Sequence, residues 1–161
     1  MKDIVVRLSD GADVALRRAE SKDLPSIVDL LADDLLGSTR EGTDAGYGPY
    51  ERAFEEISAD SRQLLVVAVD EEEIVGTLQL TVIPGLSRRG AHRAQIEGVR
   101  VSRRYRSRGL GAAMIQWAIG ESAARQCVLV QLTSDKSRVD AHRFYERLGF
   151  AATHEGFKMS L

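Results

Sequence analysis

The sequence predicts a mixed α/β (α+β) chain folded as a single domain over 1–161, with a central twisted mixed sheet of six to seven strands flanked by four helices. Three observations predict it. Apolar or alternating runs bounded by turn residues recur at 4–8, 14–18, 63–69, 74–82, 93–101 and 127–133. Helical apolar spacing fills several of the intervals between them. The order strand, helix, strand over about 93–133 also requires two parallel neighbours, about 93–101 and 127–133, joined by a right-handed crossover.

Taken in order, 4–8 and 14–18 flank Ser9-Asp10-Gly11 as a hairpin, the first run being either a strand or an ordered tail. Ser21 is placed to cap a helix whose Leu24, Ile27, Val28, Leu31 and Leu35 share one face and which ends by Gly37. Residues 38–49 hold three glycines and Pro49 and read as a long loop, a form more often functional than idle. A second helix covers about 50–58, with Phe54 and Ile57 on its apolar side. Strands 63–69 and 74–82 are joined by the acidic turn 70–73, and Pro84-Gly85 stops the second of them before a polar loop, 86–92. A helix runs from Gly109 to about 123. The continuous apolar run 127–133 implies a central strand covered on both faces. Ser137 to Asp140 resembles a capping box opening a helix that ends at Leu148-Gly149, and 150–161 is expected to complete the sheet.

Apolar residues at 43% and charged residues at 29% suit a globular chain and argue against disorder or a membrane class. The early apolar cluster 4–6 is too short for a signal core, so the expected location is cytoplasmic. Cys127 is the sole cysteine and sits among apolar residues, which makes it core packing and leaves no covalent carrier. His92, His142 and His154 have no partners at ligand spacing, so no metal is expected. Charge is uneven along the chain. Eleven acidic residues between Glu20 and Asp60 face only Lys22, Arg40 and Arg52, whereas between Pro84 and Arg108 eight arginines face Glu97. Two readings fit: a cationic acceptor opposite an anionic cofactor, or two solvated faces. Nucleic acid fits less well, because the net charge is -2 and only Tyr105 interleaves the arginines.

The most informative stretch is 93–117. A strand runs into a loop bearing Arg103, Arg104, Arg106 and Arg108, and Gly109-Leu110-Gly111 opens the helix. Backbone N–H groups at a helix start are unpaired and carry partial positive charge, and glycine lets an anion approach them. The loop is therefore a candidate pyrophosphate cradle. It is neither a dinucleotide fingerprint, since Met114 stands where a third glycine is needed, nor a Walker loop, which needs Gly-Lys-Ser/Thr.

About thirty residues downstream lies D-A-H-R-F-Y-E-R-L-G-F, 140–150. The pairing of V-R-V-S-R-R-Y-R-S-R-G-L-G with this segment resembles the GNAT superfamily of acyl-CoA-dependent N-acetyltransferases, most specifically over 97–150. The resemblance implies a GNAT-like three-layer fold in which the parallel pair splays. It implies acetyl-CoA as co-substrate, with pantetheine on the backbone of Val99 and Val101 and pyrophosphate on Arg106, Ser107, Arg108, Gly109, Leu110, Gly111 and Ala112. Arg103, Arg104 and Arg108 are placed at the rim for the nucleotide phosphates. Ser107 departs from the glycine common in the family, and Arg138 replaces a common asparagine as a second cofactor contact. Tyr145 occupies the family's acid position, with a core aromatic as the alternative. Glu97 is the base, directly or through water, with a salt bridge to a nearby arginine as the alternative. His142 reads as a surface or capping residue. The implied activity is direct acetyl transfer in a ternary complex to a primary amine, and Val99 N–H is expected to polarise the thioester carbonyl. Acceptor recognition is expected from 38–50 and 84–93. Asp33, Asp34, Glu41 and Asp44 point to a small cationic amine, with no nucleic acid or membrane partner. A protein lysine or N-terminal acetyltransferase and a non-catalytic acyl-CoA sensor are the alternatives. The resemblance also admits a homodimer.

Overall fold

The computed structural model describes residues 3–33, 41 and 46–160. It forms two compact units, 1–131 and 132–161.

In the first unit, strands β1 (Ile4–Arg7), β2 (Asp13–Arg18), β3 (Gln63–Asp70), β4 (Glu73–Ile83), β5 (His92–Val101) and β6 (Cys127–Leu132) follow one another across the sheet in chain order. Neighbours from β1 to β5 are antiparallel, and β6, which follows β5, makes the sheet mixed. Helices α1 (Leu24–Ala32), α2 (Gly48–Ala59) and α4 (Leu110–Ala124) join the one-turn segment α3 (Ser87–Gly90). The core lies where β2 to β5 meet α4: Leu16, Leu64, Leu78, Leu80, Ile96 and Met114 are fully buried. Alternation explains the strands. In β5, Ala94 and Ile96 are buried whereas Arg93, Gln95 and Glu97 are not, the period of two that one covered face requires. The apolar face of α4, Leu110, Met114, Ile115 and Ala118, is fully buried.

Gly76 in β4 sets how closely α4 can approach. A Cβ there would lie 3.0 Å from the Met114 sulfur and 3.1 Å from the Arg100 carbonyl, so the position has no room for a side chain.

Three expectations are corrected, and a fourth lies outside the described residues. The approach to α1 is closed by a capping box between Glu20 and Asp23 rather than by Ser21: the Glu20 side chain accepts from Asp23 N–H, and Asp23 Oδ2 accepts from Glu20 N–H at 2.8 Å. That carboxylate also binds Arg17 through two bonds of 2.6 and 2.9 Å and is 5% exposed. Burial works against its charge, but the Arg17 hydrogen bonds and the Glu20 N–H outweigh it and hold its pKa below the usual carboxylate range. Next, β6 is the last strand of the described sheet rather than a central one, and Val128 is 63% exposed. Residues 151–160 carry no strand. Gly156 interrupts that segment, and Phe157 and Met159 are exposed, so it has no paired apolar face to fix a register. Finally, the expected end of α1 by Gly37 falls outside the described residues.

The second unit holds α5 (Val139–Arg147). Its start is organised by Asp135 rather than by the predicted Ser137–Asp140 box. Both the N–H and the hydroxyl of Ser137 donate to Asp135 Oδ1, at 2.9 and 2.6 Å. His142 Nε2 sits 2.9 Å from the Asp135 carbonyl and ties α5 to the same turn.

Among the described residues no helix is long and apolar enough to cross a membrane, and no three His, Cys, Asp or Glu side chains gather as metal ligands.

Candidate active site

The site is built around a defect in the sheet. Gln79 pairs with Glu97 and Thr77 with Arg100, so two residues of β5, Gly98 and Val99, stand opposite Leu78 alone. This is a β-bulge. It bends the strand and takes the bulged backbone out of the ladder. Gly98 permits it, with φ at 60°. Glycine within a strand pattern signals a bulge, but the sequence reading took 93–101 as regular. Glu97 is exposed and makes no ion pair among the described residues, so the expected salt-bridge alternative is not seen among them.

Beyond β5, a short 3-10 turn (Arg103–Tyr105) leads to a loop with two left-handed residues, Ser107 at φ 62° and Gly109 at φ 88°. Gly109 is the N-cap of α4 and supplies no side chain. The first intrahelical bond of α4 is Ala113 N–H to Gly109 O, at 3.0 Å. The N–H groups of Leu110, Gly111 and Ala112 precede it and face outward, where the helix dipole is positive.

Residues the sequence did not single out hold this loop from behind. In the β1–β2 turn, the N–H and hydroxyl of Ser9 donate to the carbonyl of Arg108, at 3.1 and 3.0 Å. C=O and N–H point oppositely across a trans peptide. Fixing the Arg108 carbonyl toward Ser9 therefore aims the Gly109 N–H the other way, away from the turn. Asp10 pairs with Arg108, whose guanidinium lies 4.4 Å over the Tyr105 ring. That pairing lowers the Asp10 pKa and raises that of Arg108. Tyr105 is buried and its hydroxyl donates to Asp70 Oδ2 at 2.6 Å. The Asp70 hydrogen bond, with burial, raises the phenol pKa. The contact joining residues 9 and 108 is too distant in sequence for any local pattern to signal.

The arginines expected to meet phosphates are already partnered. Arg103 and Arg106 bind the two oxygens of Asp33, at 2.9 and 3.0 Å, and Arg104 lies 3.6 Å from Glu73. An open cavity of about 540 Å³ beside the loop is lined by Asp29, Asp33, Glu73, Ser102, Arg103 and Arg104. The carbonyls of Val99 and Val101 accept from Arg100 Nη1 and Arg106 Nε, each at 3.0 Å. Any further partner there uses the second lone pair or displaces an arginine. The expected cationic-acceptor cluster is also partly engaged: Asp33 is paired, and Glu41 accepts from the Tyr50 hydroxyl at 2.9 Å. Asp34 and Asp44, like most of the 38–50 loop, lie outside the described residues.

The structure thus gathers Glu97, Val99, Val101 and 106–112 along one strand, loop and helix start of the first unit. Tyr145 and Arg138 belong to the second. There the Tyr145 ring meets Phe144 and Phe150 edge-on, with centroids 5.1 and 5.9 Å away, and Phe150 N–H donates to the Tyr145 carbonyl at 3.1 Å. These aromatic neighbours fix the ring's orientation. Arg138 is the N-cap residue of α5. Cys127 is half-buried in β6, and burial raises its thiol pKa, which suits packing rather than nucleophilic chemistry.

A mixed sheet whose bulged β5 delivers a glycine-capped helix start agrees with the fold that the resemblance implied. The family model of the Acetyltransferase (GNAT) family matches residues 25–150, and the chain belongs to that family. It is 28% identical over 160 residues to glucosamine 6-phosphate N-acetyltransferase of Trypanosoma brucei brucei, covering 96% of this chain and 100% of that one. It is 26% identical over 150 residues to aminoalkylphosphonate N-acetyltransferase of Salmonella typhimurium, covering 91% and 90%. A solved transcriptional regulator from Bacillus halodurans C-125 superposes with a TM-score of 0.89 at 48% identity, over 92% of this chain and 99% of that one. The chain is a GNAT-fold acyltransferase, similar to enzymes that acetylate amines.

Proposed function

We propose that this protein transfers an acetyl group from acetyl-CoA to the primary amine of a small acceptor, by direct attack in a ternary complex. The observation that carries the reading is the continuous path from the β5 bulge at Gly98-Val99 to the outward N–H groups of Leu110, Gly111 and Ala112. Pyrophosphate suits those N–H groups, which are aimed before any ligand arrives. Binding there draws on backbone donors, since the neighbouring arginines are engaged with Asp10, Asp33 and Glu73.

Amide formation needs a neutral amine, a stabilised carbonyl oxygen and a protonated leaving thiolate. Glu97, exposed and without an ion-pair partner among the described residues, takes the proton of the attacking amine directly or through water. The Val99 N–H, displaced from the ladder by the bulge, polarises the thioester carbonyl. As the new C–N bond forms and the C–S bond breaks, the Tyr145 phenol gives its proton to the departing sulfur. Phenols with a reference pKa of ~10 remain protonated at neutral pH. Both curated relatives are named for amines that carry a phosphate or a phosphonate, which supports a small acceptor over a peptide.

Thiol release from acetyl-CoA over a panel of amines tests the reading with wild type, Glu97→Gln and Tyr145→Phe. The expected loss in kcat is about 10²–10⁴-fold for each variant, the range of a positioned acid or base. Full turnover in both variants would remove these roles. CoA binding without acetylation of any amine would favour a sensor.

A further inference from the structure

We propose that the connection between β4 and β5 holds the anionic group of the acceptor: Arg88, Arg89 and Arg93 bind a phosphate, phosphonate or carboxylate carried by the amine. The proposal rests on the acetyltransferase reading and adds the chemical class of its substrate.

The first argument is charge. The four arginines that follow β5, at 103, 104, 106 and 108, each sit against a carboxylate of Asp33, Glu73 or Asp10. The side chains of Arg88, Arg89 and Arg93 have neither a carboxylate nor a hydrogen-bond partner among the described residues. A guanidinium without a carboxylate partner is open to a dianion, whose several acceptor oxygens offer charge-assisted, bidentate bonds.

The second argument is backbone conformation. Arg88 (φ 54°, ψ 39°), Arg89 (φ 61°, ψ 41°) and Gly90 (φ 76°) are consecutive left-handed residues, closed by a bond from Gly90 N–H to Leu86 O of 3.1 Å. Each arginine there is held in a conformation that its Cβ disfavours. Two adjacent arginines kept in a conformation that suits glycine are a sign of strain retained for use.

Position supplies the third argument. Ile83 pairs with Arg93, so the turn crowns the β4–β5 hairpin. Arg93, Gln95 and Glu97 alternate along one face of β5, opposite buried Ala94 and Ile96. Gln95 is linked to Gln131 of β6 by a bond of 2.7 Å, which makes this face a polar floor across the two strands. Four residue steps of strand separate Arg93 from Glu97 by about 13 Å between Cα atoms. An extended arginine covers part of that distance, leaving room for an acceptor whose amine and anion are a few bonds apart. The cofactor's phosphates have their own cradle at 106–112, so the two anion sites serve different substrates.

The test compares matched acceptors, glucosamine 6-phosphate against glucosamine and 2-aminoethylphosphonate against ethanolamine, by thiol release from acetyl-CoA. The wild type is expected to favour the anionic member of each pair at least tenfold in kcat/KM. In Arg88→Gly/Arg89→Gly, and separately in Arg93→Gln, that ratio is expected to fall to within threefold of unity through KM of the anionic acceptor. The glycine variant removes charge and strain together, so a melting temperature equal to or above wild type shows that the fold is kept. Equal use of both members by the wild type, or a ratio unchanged in the variants, would overturn the proposal while leaving acetyl transfer standing. If no amine is acetylated, acetyl transfer itself fails. Titration calorimetry with 2-aminoethylphosphonate then decides: binding lost in the variants supports the site, and no binding to wild type overturns it.

Discussion

Gly109→Ala probes the cradle at the point where its geometry is set. Gly109 has φ 88°, and a Cβ added there would come no closer than 3.9 Å to the Ser9 nitrogen. The substitution therefore meets open space, and its whole effect is torsional, roughly 1–2 kcal/mol for an L-residue in the left-handed region. The loop relieves that strain by rotating the 108–109 peptide, which turns the Gly109 N–H out of the cradle and breaks the bonds from Ser9 to the Arg108 carbonyl. If the strain is expressed in binding, CoA affinity falls about 5–30-fold, since ~1.4 kcal/mol is tenfold. Titration calorimetry with CoA on wild type and variant, with melting temperatures measured without ligand, reads this directly. Ser107→Gly is the counterpart: Ser107 already sits at φ 62°, so glycine there is expected to leave CoA affinity intact and the fold at least as stable. Wild-type CoA affinity in Gly109→Ala would refute the argument that the left-handed N-cap aims the cradle.

Ser9→Ala removes one of two donors to the Arg108 carbonyl and is expected to raise KM for acetyl-CoA about fivefold, the worth of ~1 kcal/mol for one hydrogen bond, with kcat unchanged in steady-state assays. Gly76→Ala forces a Cβ within 3.0 Å of the Met114 sulfur and 3.1 Å of a backbone oxygen, so urea unfolding should show a loss of about 1–3 kcal/mol. Arg17→Met leaves the Asp23 carboxylate buried without its partner and should cost about 3–5 kcal/mol. Asp23 also gives a pH signature. Its folded pKa lies below its unfolded value, so its contribution is fully present above the unfolded pKa of ~3.9 and is lost as pH falls through the lower folded value. The stability gap between wild type and Asp23→Asn should accordingly be constant from pH 5 to 7, as approximate bounds, and close only in stronger acid.

Elements whose signal is local could be read from the chain. Alternation located β2 to β5 within a residue or two, the acidic turn at 70–73 became the β3–β4 hairpin, and Gly109-Leu110-Gly111 marked the start of α4. That helix start was legible because its glycines carry their conformational signal in the sequence itself. What escaped depended on distant partners. Nothing around Ser9 and Asp10 announces residue 108, and nothing around Asp33 announces Arg103 and Arg106, so these ion pairs had no local signal. The run 127–133 is apolar on both faces, yet a strand's place in the sheet depends on its neighbours, and 151–160 forms no strand beyond it. Gly98 did carry a signal, since glycine inside a strand marks a bulge. The left-handed Arg88 and Arg89 carried none, because arginine has no preference for that conformation.

The most direct measurement is the amide NMR spectrum of the ¹⁵N-labelled protein during titration with CoA. The N–H resonances of Gly109, Leu110, Gly111 and Ala112 are expected to move downfield together as charge-assisted bonds form, with Val99 following when acetyl-CoA replaces CoA. Saturable CoA binding that leaves these amides unmoved would contradict this expectation.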